Sequence, residues 1–85
     1  LIKSKNRSSV MISFTPQKTG KGSLKIYNLK GQVVENLYSG WLAAEPQEMI
    51  WQPESRKTPP VSGIYLISFE QDDVVQSVQK LLYIK

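Results

Sequence analysis

The 85-residue chain has room for one domain, near the size at which a single core only just suffices. Its 40% hydrophobic and 21% charged content is that of a folded globular chain. Cysteine and histidine are both absent, which removes disulfides, thiolate metal sites and the commonest general base and metal ligand together. The net charge is +4, but the eleven Lys and Arg are scattered, with no run longer than Arg56-Lys57. Without a basic stripe or a recognition-helix pattern, nucleic acid is not an expected partner. No apolar run approaches the ~20 residues of a membrane helix, so no membrane insertion is expected.

Residues 1–9 are polar and basic and read as a lead-in or linker, with the folded module over residues 10–85. The chain opens on Leu1 with no signal-peptide pattern, so it is expected to be an excerpt from the C-terminal end of a longer protein. Val10-Met11-Ile12-Ser13-Phe14 predicts a strand with Val10, Ile12 and Phe14 on one face. Residues 15–22, with Pro16, Gly20 and Gly22, predict a loop.

The stretch SLKIYNLKGQVV, residues 23–34, predicts a β-hairpin. Leu24 and Ile26 alternate with Lys25 and Tyr27, the period of a strand with one buried face. Asn28-Leu29-Lys30-Gly31 predicts the turn. Asn28 can hydrogen-bond the backbone two residues on, and Gly31 can take the positive φ of a type I turn closed by a glycine bulge. The chain then returns through Val33, Val34 and Leu37.

Residues 41–46 predict a connection, because Pro46 does not suit a central strand. Gln47-Glu48-Met49-Ile50-Trp51 predicts a strand with Gln47, Met49 and Trp51 on one face. Residues 52–60, with Pro53, Pro59 and Pro60 among charges, predict an exposed loop. Ser62-Gly63 forms a structural turn that launches Ile64-Tyr65-Leu66-Ile67-Ser68-Phe69, apolar on both faces and therefore expected as a central strand covered on both sides. Gln71-Asp72-Asp73 predicts a turn, and residues 74–84 the last strand. No segment has a helical period. The fold expected is all-β, a small antiparallel Ig-like β-sandwich of six or seven strands, with a five-stranded oligonucleotide-binding barrel as the alternative.

Candidate chemistry is sparse. Glu70, Asp72 and Asp73 form the one acidic cluster, and paired carboxylates can hold Ca²⁺ or act as acid and base. Their place in a turn favours a solvated hairpin tip, with too few oxygen ligands for a metal. The serines have no base to activate them, and Gly20-Lys21-Gly22 lacks the spacing and helix of a phosphate loop. No catalytic residue, metal site or cofactor is expected. Trp51, in phase with Met49, is expected in the core. Trp41, beside Gly40 in a connection, is the candidate ligand-binding aromatic.

Taken in order, Asn6, Ile12-Ser13-Phe14, Ile26-Tyr27-Asn28-Leu29-Lys30-Gly31-Gln32-Val33-Val34, Trp51, Ser62-Gly63-Ile64-Tyr65 and Lys80-Leu81-Leu82-Tyr83-Ile84-Lys85 resemble a bacterial family of C-terminal Ig-like modules. These are the type IX secretion sorting domains of the type A group, together with the related Ig-like domain of flagellar hook-capping proteins. The likeness runs from about Asn6 to the end. Arg7 stands where the family has Pro, and Gln52-Pro53 replaces the Asp-Gly that follows its Trp.

The resemblance implies a non-catalytic module of a larger exported protein, secreted or held at the cell surface. Its partners would be the outer-membrane secretion machinery and the remainder of its own host protein. It places recognition on Lys80, Leu81, Leu82, Tyr83, Ile84 and Lys85, with the apolar members holding an exposed, lysine-bearing edge in shape. Two other functions fit the sequence: a structural or assembly domain of the hook-cap kind, and a carbohydrate-binding accessory module that would use Trp41.

Overall fold

Alternating apolar residues between turns, with no helical period, leave the chain one way to bury its hydrophobic side chains, which is sheet against sheet. The computed structural model describes residues 3–6, 9–53 and 60–84. It contains seven strands: β1 (Lys3–Asn6), β2 (Val10–Phe14), β3 (Gly20–Asn28), β4 (Val33–Leu42), β5 (Gln47–Trp51), β6 (Gly63–Gln71) and β7 (Val74–Tyr83). Among the described residues there is no α-helix.

The strands form two antiparallel sheets, in the orders β1-β2-β5 and β4-β3-β6-β7. Three connections, β2 to β3, β4 to β5 and β5 to β6, cross from one sheet to the other. In the lettering of immunoglobulin domains the sheets read A-B-E and C′-C-F-G, a sandwich in which the fourth strand has joined the larger sheet. The fold is the antiparallel Ig-like sandwich expected. At the corner into β6 the Tyr65 hydroxyl donates to the Val61 carbonyl four residues upstream, the tyrosine-corner contact of such sandwiches.

The core lies between the inner faces. Val10, Ile12 and Phe14 of β2 and Trp51 of β5 meet Leu24, Ile26, Tyr65, Ile67, Phe69, Leu81 and Tyr83 of the larger sheet. Phe14 packs on Phe69 with ring centroids 4.7 Å apart. Further along, Trp51, Tyr65 and Tyr83 form a three-ring cluster with centroids 5.8–6.4 Å apart. Offset and edge contacts of this kind add ~0.5–1.5 kcal/mol per pair beyond the area they bury.

Several expectations are corrected. The lead-in is not all linker, because residues 3–6 pair with β2 as β1. Gly20-Lys21-Gly22 lies inside β3, and Trp41 lies inside β4, paired with Lys21. Gly63 is not in a turn: it is the first residue of β6, paired with Tyr83. Pro53 is buried, in a segment expected to be wholly exposed.

The central strand β6 is covered throughout on its inner face and in part on its outer face, where Ser68 is buried and Leu66 half-buried. Tyr65, Ile67 and Phe69 point into the core while Ile64 is exposed. The rest of the long loop, including Arg56 and Lys57, falls outside the described residues, as does Arg7.

Candidate functional site

The candidate recognition segment sits on β7, whose hydrogen-bonded neighbour among the described strands is β6 alone. It is therefore an edge of the four-stranded sheet, with β1 running beside it but not paired to it. Two features aim its side chains. The β6–β7 hairpin turns at Asp72 and Asp73, with φ of 52° and 62°, the two positive values of a type I′ turn. The register then slips by one residue: Glu70 pairs with Val75 and Phe69 with Ser77, so Gln76 is an extra residue in β7.

Beyond that bulge the strand alternates cleanly. Leu81 pairs with Tyr65 and Tyr83 with Gly63, and both side chains are buried in the core. Lys80 and Leu82 point the other way, opposite Leu66 and Ile64. Lys80 is exposed, Leu82 is 54% exposed, and Ile84 just past the strand is 66% exposed. Lys85 falls outside the described residues.

The expected division of labour is thus revised. Leu81 and Tyr83 hold the edge in place, while Leu82 and Ile84 belong with Lys80 on the exposed surface. Val78, opposite Ser68, and Ile64 extend that surface. The sequence reading missed both. Ile64 could have been found by pairing strands outward from the Asp72-Asp73 turn, but only with the bulge known.

The turn residues are where the sequence placed them. Asn28 Oδ1 accepts from the Lys30 and Gln32 amides at 3.0 Å each, and the Gly31 amide donates to the Asn28 carbonyl at 3.1 Å. Gly31 has φ 82°, the left-handed conformation that a glycine bulge requires. Gly63 instead belongs to a strand, with open space where a Cβ would stand.

Trp41 is 65% exposed and makes no ring–ring contact among the described residues. Its backbone carbonyl accepts a hydrogen bond from the Tyr38 hydroxyl, which holds Tyr38 across Gly40. Trp51, by contrast, is buried in the core as expected.

The acidic residues do not converge on a metal. Asp72 and Asp73 are an exposed hairpin tip, Asp72 in an ion pair with Lys18. Glu70 accepts from the Tyr27 hydroxyl at 3.2 Å and lies 4.0 Å from Lys25 Nζ. Burial first, then the Glu70 charge and hydrogen bond, push the Tyr27 phenol above its usual value. Among the described residues no group of three metal-ligating side chains occurs, and no helix is long and apolar enough to cross a membrane.

Compared with known proteins, the chain matches no family model, no curated protein and no solved structure.

Proposed function

We propose that the chain is a non-catalytic Ig-like recognition module of a larger exported bacterial protein, read as a sorting signal by outer-membrane secretion machinery. The observation that carries this reading is the edge strand β7, with Lys80 and Leu82 turned to solvent on a strand locked by buried Leu81 and Tyr83. An open edge offers main-chain donors and acceptors to a partner strand, and alternate side chains supply specificity. The order of motifs from the hairpin to the last strand, which resembles the sorting domains, supports the choice of partner. The module would then act at the cell surface or in secreted form, and any catalysis would belong to the remainder of its host protein.

The test must separate recognition from folding. Deleting residues 80–85 would take Leu81 and Tyr83 out of the core, so loss of export would show nothing more than loss of the fold. Substitutions on the outward face avoid this. Residues 1–85 are fused to a periplasm-directed fluorescent reporter in a bacterium with type IX secretion, alongside a Lys80→Glu/Leu82→Lys double variant. The expected result is export of the parent fusion and periplasmic retention of a variant that melts normally. Retention of both fusions, or equal export of both, rejects the proposal.

A further inference from the structure

The outward face of the four-stranded sheet changes character along its length. Over β6 and β7 it is apolar, with Ile64, Val78 and Leu82 exposed. At the other end, where β3 and β4 approach the Asp72-Asp73 turn, it holds an open depression of about 450 Å³. The size lies within the ~300–1,000 Å³ typical of small-ligand sites.

The backbones of the paired Gly22 and Gly40 lie in its floor, with the Cβ positions turned to the inner face towards Phe69 and Tyr38. The small outward pair Ser23–Ser39 leaves the depression shallowly filled. Around them stand Lys21, Ser23, Lys25, Ser39, Glu70 and the two turn aspartates. Trp41 follows Gly40 in the chain and lies opposite Lys21 in the register, which places the exposed indole beside the polar depression.

This combination of groups suits one ligand chemistry. A sugar ring presents a flat patch of C–H bonds and a rim of hydroxyls, each both donor and acceptor. Trp41 offers an exposed aromatic surface for the first. The second can be met by ammonium donors, carboxylate acceptors and the two serine hydroxyls. Lys21, Ser23, Ser39 and Asp73 have side chains that take no hydrogen bond or ion pair among the described residues, so they are available to a ligand.

The charges argue against an anionic ligand. Lys21 and Lys25 face Glu70, Asp72 and Asp73, with Lys18 paired to Asp72 at the rim. No net positive field is left to hold a phosphate or sulfate.

We propose that this depression, with Trp41 at its edge, binds a neutral oligosaccharide. The site shares no residue with the outward face of β7, so it stands or falls independently of the sorting function.

The test titrates the 85-residue chain with cellotetraose, xylotetraose, chitotetraose and mannotetraose, read by indole fluorescence and calorimetry. Trp51 is buried, so a saturable fluorescence change reports on Trp41. At least one sugar is expected to bind, with a loss of about tenfold or more in Trp41→Ala. The Ser23→Ala/Ser39→Ala double variant is expected to weaken binding by ~3–10-fold. Both variants change exposed or half-buried side chains outside the core and are expected to melt with the parent. The proposal is overturned if none of the four sugars gives a saturable change, if binding survives Trp41→Ala, or if sedimentation shows that the chain self-associates through Trp41.

Discussion

The four-stranded sheet has two edges, β4 and β7, and they are finished differently. Along β4 the ladder with β3 slips twice: Leu24 pairs with Tyr38 but Lys25 with Asn36, and Ile26 with Glu35 but Tyr27 with Val33. The extra residues, Leu37 and Val34, are thereby re-aimed to pack against the core. Gly40 adds a φ of 150°, a conformation that side-chain-bearing residues rarely adopt. Bulges and an irregular backbone make an edge a poor template for another strand. In β7 the single bulge falls near the start, at Gln76, and the run from Ser77 to Tyr83 pairs regularly. Its outward side chains are apolar apart from Lys80. One edge is blunted by its backbone, while the other, with β1 alongside but not paired to it, is left without a hydrogen-bonded neighbour and guarded by one charge. An edge that must be read by a partner can be left in the second state alone.

The sharpest way to break this contrast is to insert one alanine after Gln76. With a second extra residue, a ladder that keeps its single bulge would pair Tyr65 with Lys80 in place of Leu81, and a one-residue slip turns every side chain to the opposite face. Lys80 and Leu82 would enter the core, and Leu81 and Tyr83 would leave it. The loss is expected to exceed ~5 kcal/mol, the whole stability of a marginal domain. Circular dichroism with a urea titration checks it, and a native melt from the insertion variant would show that the bulge absorbs the added residue without a change of register.

Next in size, Tyr83→Ala on the inner face of β7 is expected to cost ~3–5 kcal/mol, because it empties a site shared with Trp51 and Tyr65. Leu82→Ser, one residue away on the outer face, is expected to stay within ~0.5 kcal/mol. Equal urea midpoints for the two would mean that β7 is not anchored from one side. On β4, Gly40→Val combines a strained φ with a Cβ only 3.3 Å from the Tyr38 hydroxyl, and is expected to cost ~1–3 kcal/mol in the same titration. Lys80→Val removes the guard from the open edge and is expected to raise self-association in light scattering. Asn36→Val, on the blunted edge, is expected to leave the chain unassociated.

How legible all this was depends on where the backbone obeys a simple period. Val10, Ile12 and Phe14, Leu24 and Ile26, and Met49 with Trp51 alternate without interruption, and their inward faces follow from spacing alone. The Asn28–Gly31 turn could be read because each of its two conformational requirements has a residue type that meets it. The return strand could not. Val33 is exposed while Val34 and Leu37 pack inward, an order no period of two produces, and it comes from bulges that leave no mark in composition.

Trp41 was misplaced for a related reason. Gly40 and Pro46 look like the ends of a connection, yet Tyr38 lies across Gly40 and carries β4 on to Leu42. On β6, continuous hydrophobicity predicted cover on both faces. The outer face is instead left open where it adjoins Leu82. The β7 candidate was placed from sequence, but which of its residues face outward depends on Gln76.

The smallest expected effect lies at the boundary between the polar and apolar parts of the outward face, where the Tyr27 hydroxyl donates to Glu70. Its phenol is raised above the ordinary value of 10.0, first by burial and then by the Glu70 charge and hydrogen bond. A raised value in the folded chain means that the fold holds the proton more tightly than the unfolded chain does. The contribution to stability is therefore fully present below pH 10.0 and is lost as pH rises through the higher folded value. Ultraviolet titration of the phenols should resolve Tyr27 as a late-ionising group. Glu70→Gln should move it back toward 10.0, since it removes the charge and leaves a carbonyl to accept the bond. Burial acts independently of Glu70, so part of the shift should remain in that variant. Complete return would assign the whole shift to the carboxylate, and no return would mean that the hydroxyl does not face it.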